Sequence, residues 1–281
     1  MPRISYVNGR YVPHGAASVH IEDRGYQLAD AVYEVMPILG GAIRHLNQHL
    51  DRLERSLAAV SIAWPVPRRV LPLILAEVVR RNRITDGIVY LQASRGVAHR
   101  AHYFPAGIKP SLVVSAWGGT APPAWAVEHG VTVVTRPDQR WARPDIKTVN
   151  LLANVLARQS AKEGGAYEAW LVDGQGVTEG SATNAYIITR DGTLVTHPAD
   201  HAILGGVTRA NVLALAPQAG LTVAERPFTV AEAQAAAEAL ISGTTFMVLP
   251  VVSIDGALIG DGKPGPKTRE LRALYRAMRG S

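Results

Sequence analysis

The stretch Gly118-Gly119-Thr120-Ala121-Pro122-Pro123 divides the chain. Two glycines and two prolines within six residues break helix and strand alike, so this is the best linker candidate. The residues on either side mix strand and helix patterns, which predicts an α+β fold with two domains. The expected spans are a small N-terminal domain at 1–117, a linker at 118–123 and a larger C-terminal domain at 124–281.

Outward from the linker toward the N-terminus, turn chemistry leads. Asn8-Gly9 separates Ile4–Val7 from Tyr11–Val12, and Gly40-Gly41 separates Val32–Leu39 from Ala42–Arg44, so two hairpins are expected. Leucines at 46, 50, 53 and 57 give a helix over 46–62, and Pro67 opens a second through about Arg83. Strands follow at 88–95 and 111–117. Toward the C-terminus a strand is expected at 131–135 and a helix at 148–164. Strands at 168–172, 185–189 and 193–196 come next, with Asp191-Gly192 joining the last two. Helices at 208–219 and 230–238, one long strand at 240–254 and a basic helix from Lys267 complete the reading.

The 281 residues carry 29 Lys and Arg against 23 Asp and Glu, a net charge of +6, with no cysteine. The missing cysteine excludes disulfides, a thiolate nucleophile and Cys-ligated metal. The basic excess contains no run longer than Arg68-Arg69 or Arg80-Arg81, and aromatic residues are 6%. That pattern argues against a nucleic-acid surface. Met1 to Tyr6 shows no apolar signal segment. The best apolar run, Val70 to Val79, is interrupted by Pro72 and Glu77 and is too short for a bilayer. No membrane partner and a cytoplasmic location are expected.

Candidate chemistry begins with the five lysines, since all other basic residues are arginines. Lys109, Lys162, Lys263 and Lys267 sit in polar or Gly/Pro contexts. Lys147 instead enters the amphipathic stretch Thr148-Val149-Asn150-Leu151-Leu152. An amine held against apolar surface is disfavoured in its charged form and becomes usable as a base or nucleophile. A snorkelling surface lysine is the alternative. His45 and His49 are four apart on one expected helix, but no third ligand accompanies them, so a structural or capping role is expected and no metal. Gly205-Gly206-Val207-Thr208-Arg209 enters a helix, and Gly243-Thr244-Thr245 is a small hydroxylated turn. Both are natural phosphate seats, although such turns are common. Arg100-Ala101-His102, in a loop after a strand, can clamp a carboxylate or simply be solvated. Glu179 is expected in a polar turn, solvated or facing a cationic ligand atom.

In order and spacing these motifs resemble the fold-type IV pyridoxal-phosphate aminotransferases over essentially the whole chain. The resemblance runs through Glu22 to Gln27, Asp30 to Val35, His49 to Leu53, Arg100 to His102 and Arg140-Trp141. It continues through Asp145 to Leu152, Thr178 to Ser181, Gly206 to Arg209 and Gly243 to Thr245. Within the family the chain is most similar to the D-amino-acid transaminases. The resemblance implies a small N-terminal domain, a larger C-terminal domain with a barrel-like sheet, and pyridoxal 5′-phosphate as cofactor. It further implies that Lys147 forms the aldimine with the cofactor aldehyde and moves the Cα proton. Glu179 would face the pyridine nitrogen, keeping the ring an electron sink. Arg52, Thr208, Thr244 and the Val207 N–H would hold the phosphate. Tyr33, Tyr90 and Thr245 would line the substrate side, and Arg100 and His102 would trap the carboxylate from a neighbouring subunit, implying a homodimer. The implied reaction moves the amino group of a D-amino acid such as D-alanine or D-glutamate to a 2-oxo acid such as 2-oxoglutarate, through a pyridoxamine form. Branched-chain L-amino-acid transaminase, (R)-amine transaminase and aminodeoxychorismate lyase share the fold and are the alternatives. A basic nucleic-acid-binding protein is a remote one. Ala29 and Ala31 flank Asp30 where the family often has glycine, Ala182 replaces a common serine, and Phe246 and Met247 are bulkier than usual.

Overall fold

The computed structural model describes residues 3–119 and 121–280. Met1, Pro2 and Ser281, at the ends of the expected domain spans, and Thr120 of the expected linker lie outside the described residues. The chain separates into two compact units, Met1–Thr120 with Ile146–Asn150, and Ala121–Asp145 with Leu151–Ser281.

The first unit opens with a hairpin of β1 (Ile4–Val7) and β2 (Arg10–Pro13). Asn8 and Gly9 take φ of 45° and 94°, the left-handed pair that a two-residue turn requires. Helix α1 (Arg24–Leu28) follows, with the Asp23 side chain accepting from the Gly25 N–H at its start. Ala29 closes it at φ 54°, a conformation in which a Cβ is strained and glycine is at ease. Next come β3 (Ala31–Leu39), β4 (Ala42–Ile43), α2 (Leu46–Ala59), α3 (Leu71–Asn82), β5 (Gly87–Ser94) and β6 (Ser111–Gly118). The six strands lie in the order β2-β1-β6-β5-β3-β4. Leu50, Leu53 and Leu57 of α2 and Leu71, Leu75 and Val78 of α3 share one core with Val32, Met36, Val89 and Leu91 of the sheet.

Two boundaries differ from expectation. Helix α2 starts at Leu46 as expected but ends at Ala59, not 62, and His45 lies just before it in the left-handed region (φ 55°), so of the two histidines only His49 is on the helix. Helix α3 starts at Leu71, not Pro67, and Pro72 occupies its first turn, where a missing N–H costs no intrahelical bond.

The second unit runs α4 (Ala124–Glu128), β7 (Val131–Pro137), α5 (Leu152–Glu163), β8 (Glu168–Asp173) and β9 (Gly176–Gly180). It continues with β10 (Asn184–Ile188), β11 (Thr193–Thr196), α6 (Val207–Leu215), β12 (Thr222–Glu225) and α7 (Val230–Ala235). Then come β13 (Glu238–Gly243), β14 (Met247–Ile254), β15 (Ala257–Leu258) and α8 (Pro266–Gly280). Eight strands follow the order β12-β11-β10-β13-β14-β7-β8-β9, and β15 pairs with β14. The sheet curls until its ends meet: the Val177 N–H on edge strand β9 donates to the carbonyl of Phe228, just beyond edge strand β12, at 2.9 Å. Trp170, Phe228, Ile241 and Leu249 belong to one core of this unit. A second core joins Tyr186 and Leu240 of the sheet to Leu215 of α6 and Leu271 and Tyr275 of α8.

Here the apolar pattern overran the turns. The expected strand at 240–254 is two strands, β13 and β14, folded at Thr244-Thr245-Phe246. The helix expected at 148 begins at Leu152. Glu179 lies on a strand, β9, and the turn after it is Ser181–Thr183. No helix among the described residues is long and apolar enough to cross a membrane.

Candidate active site

In the first unit β4 covers only the far end of β3, pairing with Ile38 and Leu39. Ile146–Asn150 fills the open edge at the near end. The Tyr33 N–H donates to the Lys147 carbonyl at 3.0 Å, the Val149 N–H donates to Ala31 at 3.1 Å, and Val32 and Thr148 form a bridge. Lys147 therefore stands on an extended segment, not a helix, and its own N–H donates to Ser56 Oγ at 3.3 Å. Lys147 Nζ sits 4.2 Å from the centroid of the Tyr33 ring, a cation–π distance. The Tyr33 ring is 5.7 Å from that of Tyr90, on neighbouring β5. Burial, reinforced by Tyr33, pushes the Tyr90 phenol up to about 12, so it keeps its proton and donates to Gln92 Oε1 at 2.8 Å. Three of the expected residues, Lys147, Tyr33 and Tyr90, are thus brought together.

Arg52 projects from α2 onto a residue that had no assigned role. Its Nε donates to Glu34 Oε1 at 2.7 Å and its Nη2 to Oε2 at 2.8 Å. His49 Nδ1 donates to the same Oε2 at 2.8 Å, which gives His49 a structural task. All three are buried. Burial works to raise the Glu34 carboxyl, but Arg52 and then His49 outweigh it and hold it at about 2. Burial lowers the His49 imidazole, leaving it a neutral donor near pH 7. Arg100 and His102 are exposed on the loop between β5 and β6.

In the second unit Glu179 is buried on β9 and fully engaged. Oε1 accepts from Arg140 Nη1 and, at 3.0 Å, from the Leu204 N–H, and Oε2 accepts from Asn184 Nδ2 at 3.0 Å. Arg140 is shared: its Nε and Nη2 donate to Asp138 at 2.9 and 2.6 Å, and Nη2 also donates to the Ala202 carbonyl at 3.0 Å. Burial pushes the Glu179 carboxyl up to about 7, against the pull of Arg140 and the Leu204 N–H.

Asn184 connects Glu179 to the start of α6. Its Nδ2 also donates to the Leu204 carbonyl at 3.0 Å, and a Cβ on Gly206 would collide with its Oδ1. Gly206 is therefore the residue that fits as N-cap, and it caps α6 with no side chain. The first-turn amides, Val207 and Thr208 among them, have no intrahelical acceptor. Thr208 Oγ1 is 3.3 Å from Tyr275 Oη. Thr244 and Thr245 form the β13–β14 turn, and a Cβ on Gly243 would lie 3.4 Å from the Ala182 carbonyl, so this turn neighbours the one after β9. Phe246 packs edge-on against Tyr167, with ring centroids 6.1 Å apart.

The sequence pattern of the family described as "Amino-transferase class IV" matches residues 31–254. The chain belongs to the class IV aminotransferases. It is 40% identical over 265 residues to a D-alanine aminotransferase of Bacillus licheniformis, covering 94% of this chain and 93% of that one. It is 41% identical over 271 residues to the D-alanine aminotransferase of Listeria monocytogenes serotype 4b, covering 96% and 93%. Among solved structures, a T.th. branched-chain amino acid aminotransferase with pyridoxamine 5′-phosphate superposes with a TM-score of 0.91 at 28% identity, covering 100% of this chain and 95% of that one. The enzyme is an aminotransferase with the fold-type IV architecture.

The chemistry of the second unit fits a phosphorylated pyridine cofactor. A glycine-capped helix start suits a phosphate, and a buried carboxyl near pH 7 suits a ring nitrogen that shares a proton. Sequence reasoning passed over Glu34, Asp138 and Asn184. It quoted Arg140 without assigning it a task. Glu34 and Arg140 do stand in motifs already singled out, Glu34 after Tyr33 and Arg140 in the Arg140-Trp141 pair, whereas Asp138 and Asn184 stand in none.

Proposed function

We propose that this aminotransferase transfers the amino group of D-amino acids, of the D-alanine and D-glutamate type, to a 2-oxo acid such as 2-oxoglutarate, with pyridoxal 5′-phosphate as cofactor. The observation that carries the reading is the Arg100–His102 pair, exposed on the β5–β6 loop of a chain 40% identical to a D-alanine aminotransferase. When bound, the cofactor supplies an aldehyde that accepts the amino group and a ring that delocalises charge from the substrate Cα. Lys147 Nζ, held at the Tyr33 ring, accepts the Cα proton. Glu179, fixed by Arg140, Asn184 and the Leu204 N–H, faces the ring nitrogen. Arg52, Thr208, Thr244 and the Val207 N–H receive the phosphate. Tyr33, Tyr90 and Thr245 line the substrate side.

Arg100 and His102 bind the substrate carboxylate of a second copy in a homodimer. Exposed Leu152, Val155 and Leu156 on α5 support such an association, since a lone chain leaves them wet. The division 1–117, 118–123 and 124–281 and a cytoplasmic location belong to the same proposal. A half-reaction screen tests it. The visible band of the cofactor-loaded protein should change with D-alanine and D-glutamate and stay unchanged with L-leucine and (R)-1-phenylethylamine. A response to L-leucine alone makes the enzyme a branched-chain transaminase, and a response to the amine alone makes it an (R)-amine transaminase.

A further inference from the structure

The β5–β6 loop, residues 95–110, has no regular secondary structure, yet two buried arginines anchor it, Arg95 at its start and Arg24 from α1. Arg24 is 3% exposed and Arg95 is 6% exposed, and both converge on Asp30. Arg24 Nε donates to Asp30 Oδ2 at 2.7 Å. Arg95 Nε donates to the same oxygen at 2.7 Å and its Nη2 to Oδ1 at 3.0 Å. One carboxylate between two guanidinium groups leaves a buried positive charge, which is costly unless the other N–H groups find acceptors. They find carbonyls. Arg95 donates to Ser61 and Val60 at 2.8 and 2.7 Å, and Arg24 Nη1 donates to Ala101 at 2.7 Å.

Ala101 is the residue between Arg100 and His102. Three residues on, the Phe104 ring lies under the Arg95 guanidinium, 3.6 Å from its centroid. The loop is thus fastened at 101 and 104 to two arginines that share one aspartate. The base of the loop is tied separately, by Arg24 N–H to the Gly96 carbonyl at 2.9 Å and by a bridge between Asp23 and Val97.

We propose that Arg24, backed by Asp30 and Arg95, is a positioning residue for substrate recognition. By holding the Ala101 carbonyl it fixes the aim of Arg100 and His102, and so sets the affinity for the substrate carboxylate. The proposal rests on the reading of Arg100 and His102 as the carboxylate trap. Arginine is required because one side chain serves two acceptors, Asp30 and Ala101, through different nitrogens. Lysine keeps the charge but offers a single nitrogen in place of the two that reach Asp30 and Ala101 separately.

The test compares Arg24→Lys, Phe104→Ala, Arg100→Ala and the Arg24→Lys/Arg100→Ala double variant as cofactor-loaded protein. Arg24→Lys should raise the KM for D-glutamate about tenfold, the loss expected for one charge-assisted hydrogen bond, with kcat changed less and the cofactor absorbance kept. Amides of residues 99–104 should exchange with deuterium faster, while those of the β-sheet do not. Phe104→Ala changes an exposed ring and leaves the core intact, and should raise the same KM roughly threefold. In the Arg100→Ala background the lysine substitution should add almost nothing. A full additive effect there, or loop exchange unaltered in both Arg24→Lys and Phe104→Ala, overturns the clamp. If Arg100→Ala raises KM and Arg24→Lys does not, the clamp alone fails. If Arg100→Ala itself leaves KM unchanged, the carboxylate-trap reading fails and the clamp's role in recognition goes with it.

Discussion

Glu34 in the first unit and Glu179 in the second are both buried carboxylates faced by an arginine, yet one sits at about 2 and the other at about 7. Burial raises both. The difference lies in how each arginine is used. Arg52 gives Glu34 two parallel N–H bonds, one to each oxygen, and His49 adds a third donor. Arg140 gives Glu179 one nitrogen and spends its other donors on Asp138 and Ala202, and the Asp138 charge pushes the Glu179 carboxyl further up. Two parallel bonds from one arginine lock a carboxylate in its ionised form, whereas a single bond from an arginine that also serves a second carboxylate leaves it close to titration. Glu34 is therefore a fixed structural anion, and Glu179 is poised to share a proton.

Removing the lock should give the largest effect. Arg52→Ala leaves Glu34 buried without its main partner and should cost about 3–5 kcal/mol of stability at pH 7, measured by denaturant unfolding of cofactor-free protein. Because the folded carboxyl is depressed from 4.5 to about 2, its stabilisation is complete above pH 4.5 and disappears as the pH falls through 2. The deficit of the variant should shrink over the same window. A deficit independent of pH would break the contrast.

Glu179 has the opposite sign. Its folded carboxyl is raised from 4.5 to about 7, so its contribution to stability is full below pH 4.5 and is lost as the pH rises through 7. In cofactor-free protein, Glu179→Gln should remove that decline and leave the variant more stable than wild type at pH 8 by on the order of 3 kcal/mol. The loaded variant should lose roughly a hundredfold in its half-reaction with D-alanine, as expected for removing one preorganised electrostatic partner. A wild-type pH slope in the variant would show that Glu179 is already ionised. Asp138→Asn should have the smallest effect, about 1–2 kcal/mol of stability. It should move the Glu179 midpoint, followed by carboxyl carbon NMR, down toward the ordinary carboxylate value. An upward move would mean that Arg140 fails to turn to Glu179 once Asp138 is neutral.

Local turn chemistry made the hairpins at Asn8-Gly9, Gly40-Gly41 and Asp191-Gly192 readable, because each pair dictates its own backbone. Apolar patterning misled where pairing is long-range. Thr148-Val149 look like a helix start, but the Val149 N–H donates to Ala31 and Thr148 bridges Val32 on β3, more than a hundred residues earlier. The run from Leu240 to Ile254 hides its turn among Thr244, Thr245 and Phe246, which carry no breaker beyond Gly243. Strand β9 was invisible because Val177-Thr178-Glu179-Gly180 is small and polar, although the structure buries all but its first residue. Lys147, Arg52 and Glu179, the residues proposed for the site, stand in motifs that the sequence displays. What holds them is not displayed there, since Arg140 meets Glu179 across 39 positions and Arg52 meets Glu34 across 18.

The chirality of the product tests the central claim most directly. Cofactor-loaded enzyme given D-alanine and 2-oxoglutarate should yield pyruvate and glutamate in equal amounts, with the glutamate entirely the D-enantiomer by chiral chromatography. Lys147→Ala should form neither. L-glutamate as the product, or pyruvate formed from L-alanine and not from D-alanine, would contradict the account.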